Sequence, residues 1–187
     1  VKLALAGAVL TALLSAWTST LLLLDEETLD EARFWLAGSL AGRGTDEIRL
    51  LFPLILMAVG AALLLGSSLN TLSLGDEAAT SLGQRVVVVR LWSGFVSVVL
   101  AASAVAIAGP IAFVGLAVPH IARSLVGPDY RWITVLGLLF GPSLLLMADI
   151  LGRIVVSPQE LQVGIVTSLV GAPFLIFLVR SKRLAEL

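Results

Sequence analysis

The chain has 187 residues, of which 58% are hydrophobic and only 13% are charged, and its formal net charge is −1. A soluble domain needs roughly 25% charged residues to cover its surface, so the composition indicates a polytopic membrane protein. The one dense charge cluster, Asp25–Glu31, is acidic, so nucleic acid is not an expected partner. The sequence contains no cysteine, which excludes disulfides, thiolate metal ligands and cysteine catalysis.

Long apolar stretches predict one domain over residues 1–187, an all-α polytopic helical bundle with about six transmembrane helices. One of the six is short and follows a break in the chain. The predicted spans are approximately residues 3–24, 48–66, 88–108, 111–122, 132–150 and 161–180. An external surface helix is predicted at about 28–41, and a cytoplasmic loop at about 67–85.

The first span carries a stripe of small and hydroxyl side chains. Gly7, Thr11, Ser15 and Ser19 recur every four residues, and Thr18 borders them. Small residues at this spacing let helices approach closely, and the hydroxyls can donate to carbonyls of their own helix. A helix-packing face and a wall of a substrate pathway both fit this pattern.

The loop after the first span is predicted to form the external helix. Thr28 and Glu31 make a capping box, in which each side chain accepts from a backbone amide that the helix start leaves free. Gly42 and Gly44 are predicted to end the segment.

The loop at 67–85 contains a second short helix. Ser73 is predicted to cap its start, Asp76 and Glu77 favour the positive end of its dipole, and Gly83 is predicted to end it in the left-handed conformation. A helix of about two turns is unstable alone in water and needs a partner surface. A solvated connector is the alternative interpretation.

An uncharged run extends from Leu91 to Ala122. As one helix it would be ~48 Å long, against a hydrocarbon core of ~30 Å. Gly109-Pro110 interrupts it, because proline removes a backbone donor and clashes with the preceding turn. The sequence therefore predicts a full span, a break and a short helix packed inside protein.

Asp149 and Arg153 lie one turn apart near the end of the fifth span and are predicted to pair. His120 is the only histidine, and one imidazole without nearby carboxylates does not build a metal site. No cofactor, metal or catalytic residue is predicted. The sequence has no P-loop for ATP, no nucleophile elbow and no pair of intramembrane acids.

Three ordered segments resemble the FecCD-type permeases, which are membrane subunits of ATP-binding-cassette (ABC) importers for ferric siderophores, haem and cobalamin. They are Leu72–Gly83, Gly109–Arg131 and a third that runs from Ala148 to Arg153 and again from Ser157 to Phe174. Their order and extent make the resemblance specific. It maps the six spans onto the last six of about ten, so that the chain is expected to be the C-terminal half of a permease.

The resemblance implies a role for each candidate site. The short helix becomes the coupling helix that docks on the ATP-hydrolysing subunit, with the residues Gly75, Asp76, Glu77, Ala78, Ala79 and Gly83. The stripe of Thr11, Ser15, Thr18 and Ser19 becomes a wall of the translocation pathway. Arg153 becomes the contact for an external substrate-binding protein. The implied partners are a second permease subunit, two ATP-binding subunits, that binding protein and membrane lipid.

Charge asymmetry predicts the orientation. With six crossings both termini share one side, which then holds eight of the 12 basic residues. The positive-inside rule makes that side cytoplasmic, and the resemblance implies that the membrane is the bacterial cytoplasmic membrane. Two rival functions are an ion-gradient-driven secondary transporter and a membrane-embedded enzyme, but the intramembrane ionisable or catalytic groups that they require are missing. The sequence does not identify the cargo.

Overall fold

The computed structural model describes residues 2–24, 29, 32, 35–39, 44–155 and 161–173, and the regular structure in these ranges is entirely helical. The chain forms two compact units, Val1–Leu36 and Ala37–Leu187. The first contains helix α1 (Lys2–Leu22). The second contains α2 (Thr45–Leu72), α3 (Asp76–Ser81), α4 (Val86–Ala108), α5 (Val114–Val126), α6 (Tyr130–Val155) and α7 (Val163–Pro173).

Four of these helices, α1, α2, α4 and α6, are long and apolar enough to cross a membrane. Helices α5 and α7 are apolar but shorter. Of the predicted external helix, residues 29, 32, 35 and 36 are helical. Its capping box at Thr28 and Glu31 and its end at Gly42 lie outside the described residues.

Several helix boundaries differ from the sequence prediction, among them those of α2 and α5. Helix α2 continues past Gly66 to Leu72, because Gly66 allows a close approach of Arg131 and does not end the helix. A Cβ at Gly66 would lie 3.1 Å from the Arg131 Cα. Helix α5 begins at Val114, after Gly109 and Phe113 have both taken a positive φ, and continues past the predicted end to Val126.

The second unit is held together by close helix packing. Helix α2 packs against α4 and α6, and α5 packs against α6. Helix α7 joins α6 through a cluster of Ala148, Val163 and Val166. Many of the buried side chains are small, which is typical of membrane helices that pack closely. They include Ala58, Ala79, Ala117, Ala122, Ala148, Ser103 and Thr167.

Contacts between distant segments define two ends of this unit. At the first, which we call the break end, Ser39 N donates to Ala108 O and Gly164 N donates to Gly38 O, each at 3.0 Å. The other, the α3 end, contains the last turns of α2, helix α3 and the first turns of α4 and α6. Helices α2, α4, α5 and α6 therefore alternate in direction between the two ends, with α3 lying at one of them, and α7 starts from the break end.

Candidate functional site

Helix α3 begins at Gly75, which has φ 103° and ψ 157°. This region of backbone conformation is open essentially to glycine alone. The predicted cap by Ser73 is wrong. Because α2 extends to Leu72, the Ser73 hydroxyl donates back to Asn70 O at 2.6 Å and does not reach the start of α3.

The end of α3 forms a Schellman motif. Gly83 has φ 80°, its N–H donates to Thr80 O at 2.9 Å, and the Gln84 N–H donates to Ala79 O at 3.0 Å. These are the two bonds that satisfy the last carbonyls of a helix ending at a left-handed glycine. The predicted role of Gly83 as the helix terminator is therefore confirmed.

One face of α3 is buried and the other is open. Ala79 is fully buried, while Asp76, Glu77 and Ala78 are exposed. Leu74 and Leu82 flank the helix with exposed fractions of 67% and 68%. An acidic patch bordered by two exposed leucines is suited to contact with another protein. Sequence reasoning did not single out the leucines, because leucine is common throughout the chain.

Two side chains connect α3 to its neighbours. Asp76 accepts from Arg90 of α4 at 2.8 and 3.2 Å, although both side chains are largely exposed and such a pair contributes at most ~1 kcal/mol. Gln84 Nε2 donates to Ser68 O of α2 at 2.9 Å. The Gln84 Oε1 is buried and has no hydrogen-bond partner among the described residues.

A polar junction next to α3 connects α2 with α6. Asn70 Nδ2 donates to Asp129 Oδ1 at 2.6 Å, and Tyr130 N donates to Asn70 Oδ1 at 2.7 Å. Asp129 also accepts from Arg131 N at 2.9 Å, as the residue before α6. The hydrogen bond from Asn70, followed by that from the Arg131 amide, holds the pKa of Asp129 below its usual range.

The hydroxyl stripe on α1 forms bonds within the helix. Thr11 donates to Gly7 O at 2.8 Å and Thr18 donates to Leu14 O at 2.9 Å. These two residues, Ser15 and Ser19 are all exposed within the chain. Donation to the helix's own carbonyls makes the stripe compatible with an apolar neighbour, and it also leaves oxygen lone pairs available along one face.

Arg153 and Asp149 form the predicted ion pair near the break end, with Arg153 Nε 2.9 Å from Asp149 Oδ2. The side chain of Arg153 is 45% exposed and that of Asp149 is 21% exposed. Arg153 is thus held by its neighbour while its side chain stays partly exposed.

An open cavity of about 390 Å³ lies between α5, α6 and α7. Its lining is almost wholly apolar, and its two hydroxyl residues, Ser143 and Thr167, donate to carbonyls of their own helices. The cavity offers no charged group to a chelate. In the described parts of the chain no three His, Asp or Glu residues come together as a metal site, and His120 is half-buried in α5.

A bundle of apolar, alternating helices that presents a short supported helix at one end defines a polytopic membrane protein of the permease class. The sequence profile of the FecCD transport family matches residues 1–181. The chain therefore belongs to the FecCD transport family.

Relatives and a solved structure agree with this assignment. The ferric enterobactin transport system permease protein FepD of Escherichia coli K12 is 50% identical over 97% of this chain and 54% of its own length. The siderophore transport system permease protein YfiZ and the iron(3+)-hydroxamate import system permease protein FhuB, both of Bacillus subtilis 168, are 41% and 44% identical over 96% and 98% of this chain.

A solved metal-chelate type ABC transporter in an inward-facing conformation is 35% identical, with a TM-score of 0.86 over 94% of this chain and 57% of its own. The chain thus spans about half the length of the relatives that it matches.

Proposed function

We propose that this chain is part of the permease subunit of an ABC importer that moves a ferric chelate across the bacterial cytoplasmic membrane. The resemblance alone allows an iron-siderophore, haem or cobalamin-type cargo. We propose a ferric chelate because the names of the relatives refer to ferric enterobactin, hydroxamate and citrate. The importer would contain a second permease subunit, two ATP-binding subunits and an external substrate-binding protein. ATP hydrolysis is assigned to the separate subunits.

The observation that carries this proposal is the construction of α3. Its six residues are too few to be stable alone, yet it begins and ends at two glycines of positive φ and is connected to both α2 and α4. Its open face presents Glu77 between Leu74 and Leu82. A short helix that is supported from behind and exposed in front is suited to transmit movement from a docked partner.

The mechanism follows from this arrangement. ATP binding by the partner subunits would displace α3, and the helices connected to it would rock about the axis of the permease dimer. The permease itself forms no covalent bond to cargo. It stabilises inward-open and outward-open states to different extents as nucleotide and cargo bind.

The orientation belongs to the same proposal. The α3 end faces the cytoplasm and the break end faces outward. We also propose, from the distribution of basic residues, that both ends of this segment are cytoplasmic. The alternating helix directions support this assignment, because they place Arg85, Arg90, Arg123 and Arg131 at the same end as α3.

Two finer assignments complete the proposal. The α1 stripe of Thr11, Ser15, Thr18 and Ser19 forms a wall of the translocation pathway, because its hydroxyl oxygens offer weak, repeated contacts to a polar cargo. Arg153, partly exposed at the break end, forms the contact for the binding protein.

Transport by the full-length permease tests the proposal. Reconstituted in liposomes with its ATPase and binding protein, it is expected to accumulate ⁵⁵Fe supplied as ferric enterobactin when ATP is present, and not with ADP. Uptake driven by a proton or sodium gradient without ATP would support a secondary transporter instead.

Variants in the same assay test the site residues. Glu77→Lys reverses the charge at the start of α3, at a cost of ~0.3–1 kcal/mol before any partner contact is counted, and is expected to reduce uptake without loss of folded protein. Ser81→Ala is the matched control, because that hydroxyl donates only to Glu77 O in the same helix. Ser15→Trp is expected to block uptake, while Leu14→Trp on the adjacent face is tolerated.

A further inference from the structure

We propose that Asn70 and Asp129 form a clamp that makes α6 move together with α3. Displacement of the short helix is then transmitted along α6 to the break end. The inference rests on the proposed function and adds two positioning residues to it. Neither residue lies on α3 or on the α1 stripe.

The clamp uses both ends of one amide. Asn70 Nδ2 donates to the Asp129 carboxylate at 2.6 Å, and Asn70 Oδ1 accepts from the Tyr130 amide at 2.7 Å. Asp129 can cap α6 without Asn70, because its own bond to Arg131 N at 2.9 Å fulfils that role. Asn70 is therefore not needed to start α6. Asn70 instead fixes the position of the first turn of α6 relative to α2.

The interaction is also stronger than an ordinary amide hydrogen bond. The Asp129 carboxylate is charged at neutral pH, and hydrogen bonds to charged groups are shorter and roughly twice as strong as neutral ones. Close packing restrains the same junction, since a Cβ at Gly66 would lie 3.1 Å from both Cα and Cγ of Arg131. Sliding of α6 along α2 would break the two bonds and this packing together.

The last turns of α2 also contact the chain on both sides of α3. Ser68 O accepts from Gln84 Nε2 just beyond the end of α3, and Asn70 O accepts from Ser73 Oγ just before its start. The carbonyls of Ser68 and Asn70 thus contact the chain on both sides of α3, and the side chain of Asn70 contacts the start of α6. Without the clamp, part of a movement of α3 would be lost between α2 and α6.

The decisive quantity is the number of cargo molecules moved per ATP hydrolysed, measured with ferric enterobactin in the complete reconstituted importer. Asn70→Asp places two carboxylates together and removes the donor. The ratio of cargo to ATP is therefore expected to fall roughly five-fold or more, which is the size of effect that typical coupling between sites produces. The exchange Asn70→Asp with Asp129→Asn restores a donor and an acceptor and is expected to recover the ratio. Thr71→Val is the matched control, because Thr71 donates only to Ser67 O in its own helix.

A distance measurement reports the movement itself. These 187 residues contain no cysteine, so spin labels at Ser81→Cys on α3 and Leu139→Cys on α6 can be introduced into the importer. Their separation is expected to stay the same with and without trapped ATP in the wild-type background, and to change in Asn70→Asp. If Asn70→Asp does not assemble, Asn70→Ala takes its place in both measurements.

The outcomes separate a clamp from a structural bond and from failure of the proposed function. A lowered melting temperature with an unchanged ratio of cargo to ATP and an unchanged label separation would overturn the clamp. Failure of the double exchange to restore the ratio would overturn the pairing. Absence of ATP-dependent uptake by the wild type would remove the proposed function and the clamp with it, whereas normal wild-type uptake with fully coupled Asn70→Asp removes the clamp alone.

Discussion

Gly164 lies directly against the backbone of Ala37 and Gly38, and its amide donates to Gly38 O. A Cβ at this position would collide with the carbonyl oxygen of Ala37. Backbone atoms do not move aside as the end of a flexible side chain does. The close approach of α7 to the segment 37–39 therefore requires that residue 164 has no Cβ.

Gly164→Ala is expected to destabilise the permease by about 1–3 kcal/mol or more, the range found when a close-packed site is overfilled. Gly137→Ala in α6 is the control, because a Cβ there meets no described atom within 4 Å. Thermal denaturation in detergent measures both. Equal melting temperatures for the Gly164 variant and the wild type would contradict the packing at this site.

Asp129 gives the stability a predictable dependence on pH. Its pKa is lowered in the folded state, so its contribution is present above the unfolded-state pKa of about 4 and is lost as the pH falls through the folded-state pKa. Asp129→Asn keeps the acceptor oxygen but does not titrate. Between about pH 6 and pH 3 we expect the melting temperature of the wild type to fall further than that of this variant. Equal falls would show that the charge of the Asp129 carboxylate does not contribute to stability.

Local sequence predicted the residues whose partners are near in the chain, and missed those whose partners are distant. Gly83 ends α3 as expected, since the motif needs only residues up to Gln84. Asn70 and Asp129 are far apart in sequence, and an asparagine among Ser67, Ser68 and Thr71 resembles a loop. The same hydroxyl-rich composition placed the end of α2 too early.

Helix α3 shows at the scale of an element how a marginal helix is maintained. Six residues cannot stabilise themselves, so the ordered conformation depends on the burial of Ala79 and on bonds to α2 and α4. Sequence pattern predicted the helix, its acidic start and its end, because all three follow from local propensity. The supporting surface behind it could not be predicted, because Ser68 contributes through a backbone carbonyl that has no sequence signal.

Helix alternation leads to a test of topology. Single cysteines at Ser81 in α3 and Asp46 at the start of α2 are both expected to be exposed, but on opposite faces of the membrane. An impermeant maleimide applied to intact cells should label position 46 at once and position 81 only after permeabilisation. Labelling of position 81 alone in intact cells would reverse the proposed orientation.

At the scale of the whole molecule, six apolar helices could be predicted because hydrophobic length is a strong signal, and the described helices follow it. Their packing order could not, because apolar faces in a membrane protein do not specify which neighbour covers them. Many large side chains remain exposed within this chain, among them Leu64, Val87 and Leu169. Such surface is suited to lipid and to the further subunits of the proposed importer.

The contact of the binding protein with Arg153 can be distinguished from a purely internal role. If Arg153 forms an ion pair at the rim of that interface, Arg153→Glu should slow association and make it less sensitive to salt, in addition to any loss of stability from breaking its pair with Asp149. Association rates at two salt concentrations, together with melting temperatures, measure this. Unchanged association with a lowered melting temperature would mean that Arg153 has a purely internal role.

The hydrogen bonds at the break end impose an order on the biogenesis of the protein. Ala108 O, one of the carbonyls that α4 leaves free at its end, receives the amide of Ser39, and Gly38 O receives the amide of Gly164. Gly38 is synthesised long before Gly164, so its carbonyl has to stay hydrated or be shielded by the insertion machinery until α7 arrives. Closure of the break end therefore cannot precede the synthesis of α7, and a nascent chain arrested before α7 is expected to expose this backbone to proteases and insertion factors.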